Sequence, residues 1–196
     1  NWAELKPLEW VEIPENCNWK VSVENYSECY HCTLNHPTFA NGVVKPKTYD
    51  IQPQWMCLRH TTECQSLEKM TYDIHSGFQH YDEYSSWFLW PMFSAQVYPG
   101  NVLNTYHWRA IDADHVVVWR GWYTPGGVDD EKVRLLAKQD RATTVEEDIH
   151  QVESVQRGLK SRGYRPGPLV VDPKGGVNSE HSVMHLQRWM REAIDG

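Results

Sequence analysis

From residue 50 to residue 124 the chain offers strand after strand and no helical stripe. Segments 50–64 and 67–74 alternate weakly between apolar and polar residues. Segment 80–93 is rich in rings and reads as part strand, part loop. Segments 94–99 and 101–111 flank Pro99-Gly100-Asn101 as a hairpin, and 114–124, with Val116-Val117-Val118 at its centre, is the clearest strand. Consecutive strands joined by short turns pair antiparallel, and such a sheet needs one face covered. Helical segments on either side supply the cover. Residues 16–32 read as a helix capped by Asn16 or Asn18, with no Gly or Pro before Tyr30. Pro125-Gly126-Gly127 ends the strand region. Residues 129–160 then read as one long helix or two consecutive ones, 161–178 as a Gly/Pro-rich loop, and 179–195 as an amphipathic helix. The order predicts an α+β domain over 16–196, an antiparallel sheet packed by helices. Residues 1–15, with Pro7 and Pro14, read as an extended lead-in, and 37–49 as a loop.

Charge and composition remove several function classes. The formal net charge is -7 and there is no basic run, so nucleic acid and anionic membrane are poor partners. No apolar segment approaches the roughly 20 residues of a membrane-spanning helix. Five cysteines in no secreted framework read as free thiols in a reducing cytoplasm. Ten Trp and ten Tyr against four Phe point to a pocket or interface lined by rings with polar edges.

Chemistry concentrates in Asn25-Tyr26-Ser27-Glu28-Cys29-Tyr30-His31-Cys32-Thr33-Leu34-Asn35-His36-Pro37. On a helix, Val21, Asn25, Glu28 and Cys32 share one stripe; an inward stripe holding an amide and a carboxylate carries something other than apolar packing. His31 and His36, five apart, do not share a helix face. Pro37 turns its predecessor out of the helix, so the two imidazoles can converge from its end. Two imidazoles and a carboxylate from elsewhere make a facial triad with an open side. The carboxylate candidates are Glu146-Glu147-Asp148. Asp148 shares a helical face with Val152, Val155 and Leu159, whereas Glu147 shares a polar strip with Gln151 and Ser154. An inward Asp on an apolar face is costly unless it binds something, which favours Asp148 over Glu147. A zinc hydrolase would use the same ligand types, so residue chemistry alone leaves the metal open.

The patterns Asn18-Trp19-Lys20, Glu24-Asn25-Tyr26-x-Glu28-Cys29-Tyr30-His31, His36-Pro37 and Glu147-Asp148-x-x-x-x-Glu153-x-x-Gln156-Arg157-Gly158 resemble the catalytic domain of Rieske-type non-haem iron oxygenases, ring-hydroxylating alpha subunits. The resemblance spans nearly the whole chain. It implies a helix-grip domain, mononuclear Fe(II) on His31, His36 and Asp148, and Glu28 as the acidic residue linking an iron-bound His to a neighbouring subunit's Rieske cluster. The alternative for Glu28 is to orient His31 alone; Asn25 is expected to support the site. The resemblance further implies a [2Fe-2S] Rieske cluster in an N-terminal domain preceding residues 1–15, a reductase or ferredoxin as electron donor, and a homotrimer. Cys29-Tyr-His31 and Cys57-Leu-Arg-His60 formally match a Rieske ligand set, but the gap is too long, the flanking Gly/Pro loops are missing, and His31 is already claimed.

Trp87–Pro91, Gln96–Asn101 and Asn104–Arg109 are most similar to the branch acting on quaternary ammonium compounds. That implies oxidative demethylation of a betaine of the stachydrine or glycine betaine type with O2. The alternatives are a carnitine monooxygenase reaction releasing trimethylamine and hydroxylation of an aromatic ring. A methylated ammonium donates no hydrogen bond and is held by ring faces. The candidate rings are Trp87, Trp90, Phe93, Tyr98, Tyr106 and Trp108, with Arg59, Arg109 or Arg120 for a carboxylate.

Overall fold

The strand pattern closes into one sheet. In the computed structural model, which describes residues 2–73 and 83–196, seven strands run antiparallel in the order β1-β7-β6-β5-β4-β3-β2. They are β1 (Leu5–Glu15), β2 (Asp50–Gln54), β3 (Cys57–Glu63), β4 (Glu83–Leu89), β5 (Phe93–Tyr98), β6 (Val102–Ala110) and β7 (Val116–Pro125). The end of the 67–74 segment and the start of the 80–93 segment lie outside the described residues; 67–69 form a turn and 70–73 no strand. The hairpin between β5 and β6 turns through Gly100 and Asn101, both at positive φ, a conformation these two residue types tolerate best.

Residues 5–15, expected as an extended lead-in, are extended but ordered into the sheet. They form the edge strand β1, paired with β7 from Leu5↔Pro125 to Glu15↔Val116. Pro7 and Pro14 are tolerated because an edge strand leaves one side of its backbone unpaired. Gly121 of β7 lets the two strands carry Trp10 between them: a Cβ there would sit 3.1 Å from the Trp10 ring and from Thr105 Oγ1.

Strand alternation puts Ile13, Leu58, Phe88, Trp108, Val116 and Val118 on one buried face, and the helices cover it. These are α1 (Trp19–Ser27), α2 (Cys32–Asn35), α3 (Pro37–Gly42), α4 (Glu131–Asp140), α5 (Glu146–Leu159) and α6 (His181–Asp195). Asn18 caps α1 by accepting from the Lys20 amide. The segment 37–49, expected as a loop, holds α3, with Pro37 at a first-turn position where its missing N–H costs nothing. Between α4 and α5 the chain widens into one π turn, Arg141–Val145, so 129–160 is two helices with a bulge between them.

The helix expected over 16–32 stops at Ser27. Glu28 is extended (φ -124, ψ 168), and its carboxylate accepts from the Tyr30 amide at 2.8 Å. A side chain that bonds its own backbone two residues on competes with helix continuation. This turn also joins Cys29 to Cys32 in a disulfide, with Cα atoms 5.0 Å apart. The expectation of five free thiols is therefore corrected to three, Cys17, Cys57 and Cys64. The two-residue spacing was the available signal. Among the described residues no helix is long and apolar enough to cross a membrane.

α1 is pinned to the sheet by Trp108, 1% exposed, whose Nε1 donates to Ser22 Oγ at 2.8 Å. Ser22 in turn bonds the carboxyl of Glu15 at the end of β1. Burial pushes that carboxyl up to about 7, against the hydrogen bonds from Ser22 and Cys17 that pull it down. Glu15 is thus held protonated below neutrality. Its contribution to stability is complete below its ordinary value of 4.5 and is lost as pH rises through about 7. Glu15→Gln should flatten the fall in unfolding free energy between pH 5 and 8, on the order of 2–3 kcal/mol in the wild type; an unchanged slope would place the titration elsewhere. Trp108→Ala should cost about 3–5 kcal/mol in urea unfolding, and a loss below about 1 kcal/mol would show that this ring does not hold α1.

Candidate metal centre

The break after α1 sets the centre. Glu28 turns back so that its Oε1 accepts from His31 Nδ1 at 2.6 Å. Five residues on, His36 stands between α2 and α3, and its Nδ1 donates to Glu147 Oε2 at 2.8 Å. A carboxylate can only accept. Both Nδ1 atoms therefore carry the proton, and both Nε2 atoms present a lone pair. Those two Nε2 atoms lie 3.0 Å apart. The third group is Asp148 on the first turn of α5, its Oδ1 3.0 Å from His36 Nε2 and 3.7 Å from His31 Nε2. Asn25 Nδ2 donates to that same Oδ1 at 2.8 Å and holds it in place.

Two lone pairs and a carboxylate oxygen aimed at one another repel unless a cation lies among them. Without a metal the demand shows in His36: burial alone would lower its affinity for a proton, but Asp148 and Glu147 raise it above the ordinary histidine value. A first-row metal satisfies all three at once. Two imidazole nitrogens about 2.1 Å from an ion and at right angles to each other are about 3.0 Å apart. His31, His36 and Asp148 can each offer one ligand atom within 4.8 Å of the others. The residues fit a mononuclear ion bound on one face. Both imidazoles are fixed by carboxylates behind them, an arrangement that orients a metal-bound His and raises its basicity.

Expected site residues now have places. His31, His36 and Asp148 converge, Asn25 supports Asp148, and Glu28 sits behind His31. Glu28 is not on a helix with His31, because α1 ends before it, and it is buried at 6% exposure. Glu147, the other carboxylate candidate, serves His36. Beside the three ligand atoms lies a cavity of about 60 Å³, room for roughly four or five water-sized groups. Its walls include Tyr26, Tyr49, Tyr84, Tyr98, Tyr106 and Phe39. Of the rings expected as substrate contacts, Tyr98 and Tyr106 line it; among the described residues Trp87, Trp90, Phe93 and Trp108 do not. Trp87 and Phe93 alternate onto the opposite face of the sheet, in β4 and β5. Trp90 packs against Trp19 and Trp189. Trp108 lies beneath Tyr26 and Tyr106 as core. Tyr84 was legible, since it shares the inward parity of Phe88; Tyr26 and Tyr49 needed the tertiary structure. Arg59 and Arg109 belong to the outward parity of β3 and β6. Arg120 faces inward, 1% exposed, in contact with Asp140. Another cavity, about 670 Å³ between Trp2, Val102 and Val133, contains none of His31, His36 and Asp148.

Residues 2–196 match the family described as ring hydroxylating alpha subunit (catalytic domain). The chain is similar to the carnitine monooxygenase oxygenase subunit of Acinetobacter baumannii, 33% identical over 172 residues, covering 87% of this chain and 46% of that protein. It is also similar to the glycine betaine monooxygenase oxygenase subunit of Pseudomonas aeruginosa, 24% identical over 93% of this chain and 50% of that one. Among solved structures, a quaternary ammonium Rieske monooxygenase described in relation to carnitine oxidation and inter-subunit electron transfer superposes with a TM-score of 0.85. It is 30% identical, and the match covers 97% of this chain and 51% of that chain. The chain thus spans about half the length of the relatives it matches.

His31→Ala and Asp148→Ala should each abolish stoichiometric Fe(II) binding, measured on anaerobically reconstituted protein, because each removes one of three ligand atoms. Glu147→Gln keeps all three and should weaken binding by about 10–100-fold only. Undiminished iron content in His31→Ala would refute the site.

Proposed function

Because the chain belongs to the ring-hydroxylating alpha subunit catalytic-domain family, we propose that it is the iron-binding domain of an oxygenase that oxidatively demethylates a quaternary ammonium betaine. The observation that carries this reading is the meeting of two Nε2 lone pairs and the Asp148 carboxylate beside a cavity walled by tyrosine rings. Fe(II) held there by His31, His36 and Asp148 would supply the activation of O2 needed to oxidise an N-methyl C–H bond.

The chain's own residues do the rest. Glu28 and Glu147 fix both imidazoles in the tautomer that leaves Nε2 free. Asn25 keeps Asp148 Oδ1 aimed at the same point. Tyr49, Tyr84, Tyr98, Tyr106 and Phe39 line the cavity and can offer π faces to a cation that has no proton to donate. Hydroxylation of one methyl gives a hemiaminal, which sheds formaldehyde and leaves the dimethyl amine. Two electrons per turnover arrive from a Rieske [2Fe-2S] cluster of a neighbouring subunit, recharged by a reductase or ferredoxin; Glu28, behind His31, is the residue on that route. A trimer would bring the neighbour's cluster to it. The name of the Acinetobacter relative favours a second reading, in which hydroxylation beside nitrogen on the longer chain of carnitine cleaves C–N and releases trimethylamine.

Hydrogen peroxide can provide both oxygen and oxidising equivalents in a single turnover, so iron-loaded protein can be tested without the cluster. Glycine betaine or proline betaine should yield about one formaldehyde per iron. Trimethylamine from carnitine, with no formaldehyde from either betaine, would select the second reading. No product and no binding of any quaternary ammonium by iron-loaded protein would overturn both.

A further inference from the structure

The inner face of the sheet carries polar residues one strand apart. His60 on β3 faces Ser86 on β4, Ser86 faces Gln96 on β5, and Gln96 faces Asn104 on β6. Arg120 of β7 ends the row. It pairs with Tyr106 across the ladder, and its guanidinium lies 4.3 Å from that ring's centre. None of the five is more than 3% exposed. Burying so many polar groups is costly unless their hydrogen bonds are made, so the direction of each bond can be followed.

Arg120 has donors only. Asn104 must therefore turn its amide oxygen toward the guanidinium, accepting from Nη2 at 2.8 Å and Nε at 3.0 Å, and its amide nitrogen then donates to Gln96 Oε1 at 3.1 Å. Gln96 Nε2 donates to Tyr26 Oη at 3.0 Å. Tyr26 Oη and Ser86 Oγ bond each other. A fixed cation at one end thus sets the sense of the amide bonds that follow it. At the other end two hydroxyls share one bond, which uses one of their two protons. Ser94 Oγ, beside Tyr26 Oη, adds a proton along with an acceptor, so one proton remains over. Tyr26 and Ser86 both line the cavity beside the imidazoles.

We propose that the surplus hydroxyl proton of the Tyr26–Ser86 pair anchors the carboxylate of the substrate. This rests on the betaine reading above and adds an orientation to it. The anion lies toward the sheet floor, where the amide chain leads back to Arg120. The methylated ammonium lies toward His31, His36 and Asp148, so that an N-methyl group faces the metal centre. A hydrogen bond to a carboxylate is about twice as strong as one to a neutral acceptor, which makes the pair a specificity-determining element. Arg120 acts through Asn104 and Gln96 as a positioning residue.

The test compares glycine betaine with isobutyltrimethylammonium, which keeps the methylated ammonium and replaces the carboxylate oxygens by methyl groups. Both are titrated calorimetrically into iron-loaded protein. Wild type should bind the betaine about ten- to thirtyfold more tightly. Either hydroxyl can carry the surplus proton, so Tyr26→Phe and Ser86→Ala should each keep part of this preference. Tyr26→Phe/Ser86→Ala together should lose it, with affinity for isobutyltrimethylammonium changed no more than about twofold and the thermal midpoint of the iron-loaded protein within a few degrees of wild type. Ser86→Thr, which restores the hydroxyl, should behave as wild type. The proposal is overturned if the double variant keeps the full preference, or if it loses both ligands equally, which would make the row purely structural. Failure of wild-type protein to bind either ligand would instead refute the betaine reading itself, and this anchor with it.

Discussion

Two imidazole lone pairs held 3.0 Å apart with a carboxylate oxygen against one of them form a contact that the fold must justify. With both Nδ1 protons given to carboxylates, only a cation among the three atoms makes it favourable. The chain enforces it from three directions. Glu28 holds His31, Glu147 holds His36, and Asn25 holds Asp148, so none of the three can rotate away without breaking a hydrogen bond. A site preorganised in this way carries its repulsion as a demand for a metal, and the elements that enforce it come from both ends of the chain.

That demand explains two local departures from regular structure. α1 ends at Ser27, one residue before Glu28, because the Glu28 side chain is spent on His31 and on the Tyr30 amide. α4 passes into α5 through a π turn, which offsets the phase of the helix just before Glu147 and Asp148. One carboxylate then reaches His36 Nδ1 and its neighbour reaches Nε2. Irregular backbone at a functional site is a recurrent use of such turns.

The sheet sets the opposite wall. Its inward positions switch from apolar at Phe88, Trp108 and Val118 to polar at His60, Ser86, Gln96 and Asn104. A floor of that kind supports both a ring-lined space and directed hydrogen bonds. Arg120 and Asp140, in contact beneath Tyr98 and Tyr106, bury a charge pair that stability alone would not select, and its service to the amide row gives it a reason to be there.

The α+β class, the β5–β6 hairpin, β7 and the terminal helix were legible because each rests on a short-range pattern: alternation, a Gly-Asn turn, or a 3.6-residue stripe. The choice of Asp148 over Glu147 came from helical phase, yet the apolar face it assumed is only partly there: Val152 is buried, whereas Val155 and Leu159 are exposed. What the sequence concealed was non-local. Residues 5–15 look like a linker until β7 supplies the partner for their backbone. Trp87 and Trp108 look like cage rings until register sends one outward and the other into the core. Tyr26 and Tyr49 carry no signal of their own, since only packing decides which of many rings faces a cavity. By itself the sequence brought forward His31, His36 and Asp148 as candidates, through residue chemistry and the period of the helix. Only the tertiary structure decided which carboxylate stands behind which imidazole, and which rings form the wall, because those depend on distances between segments more than a hundred residues apart.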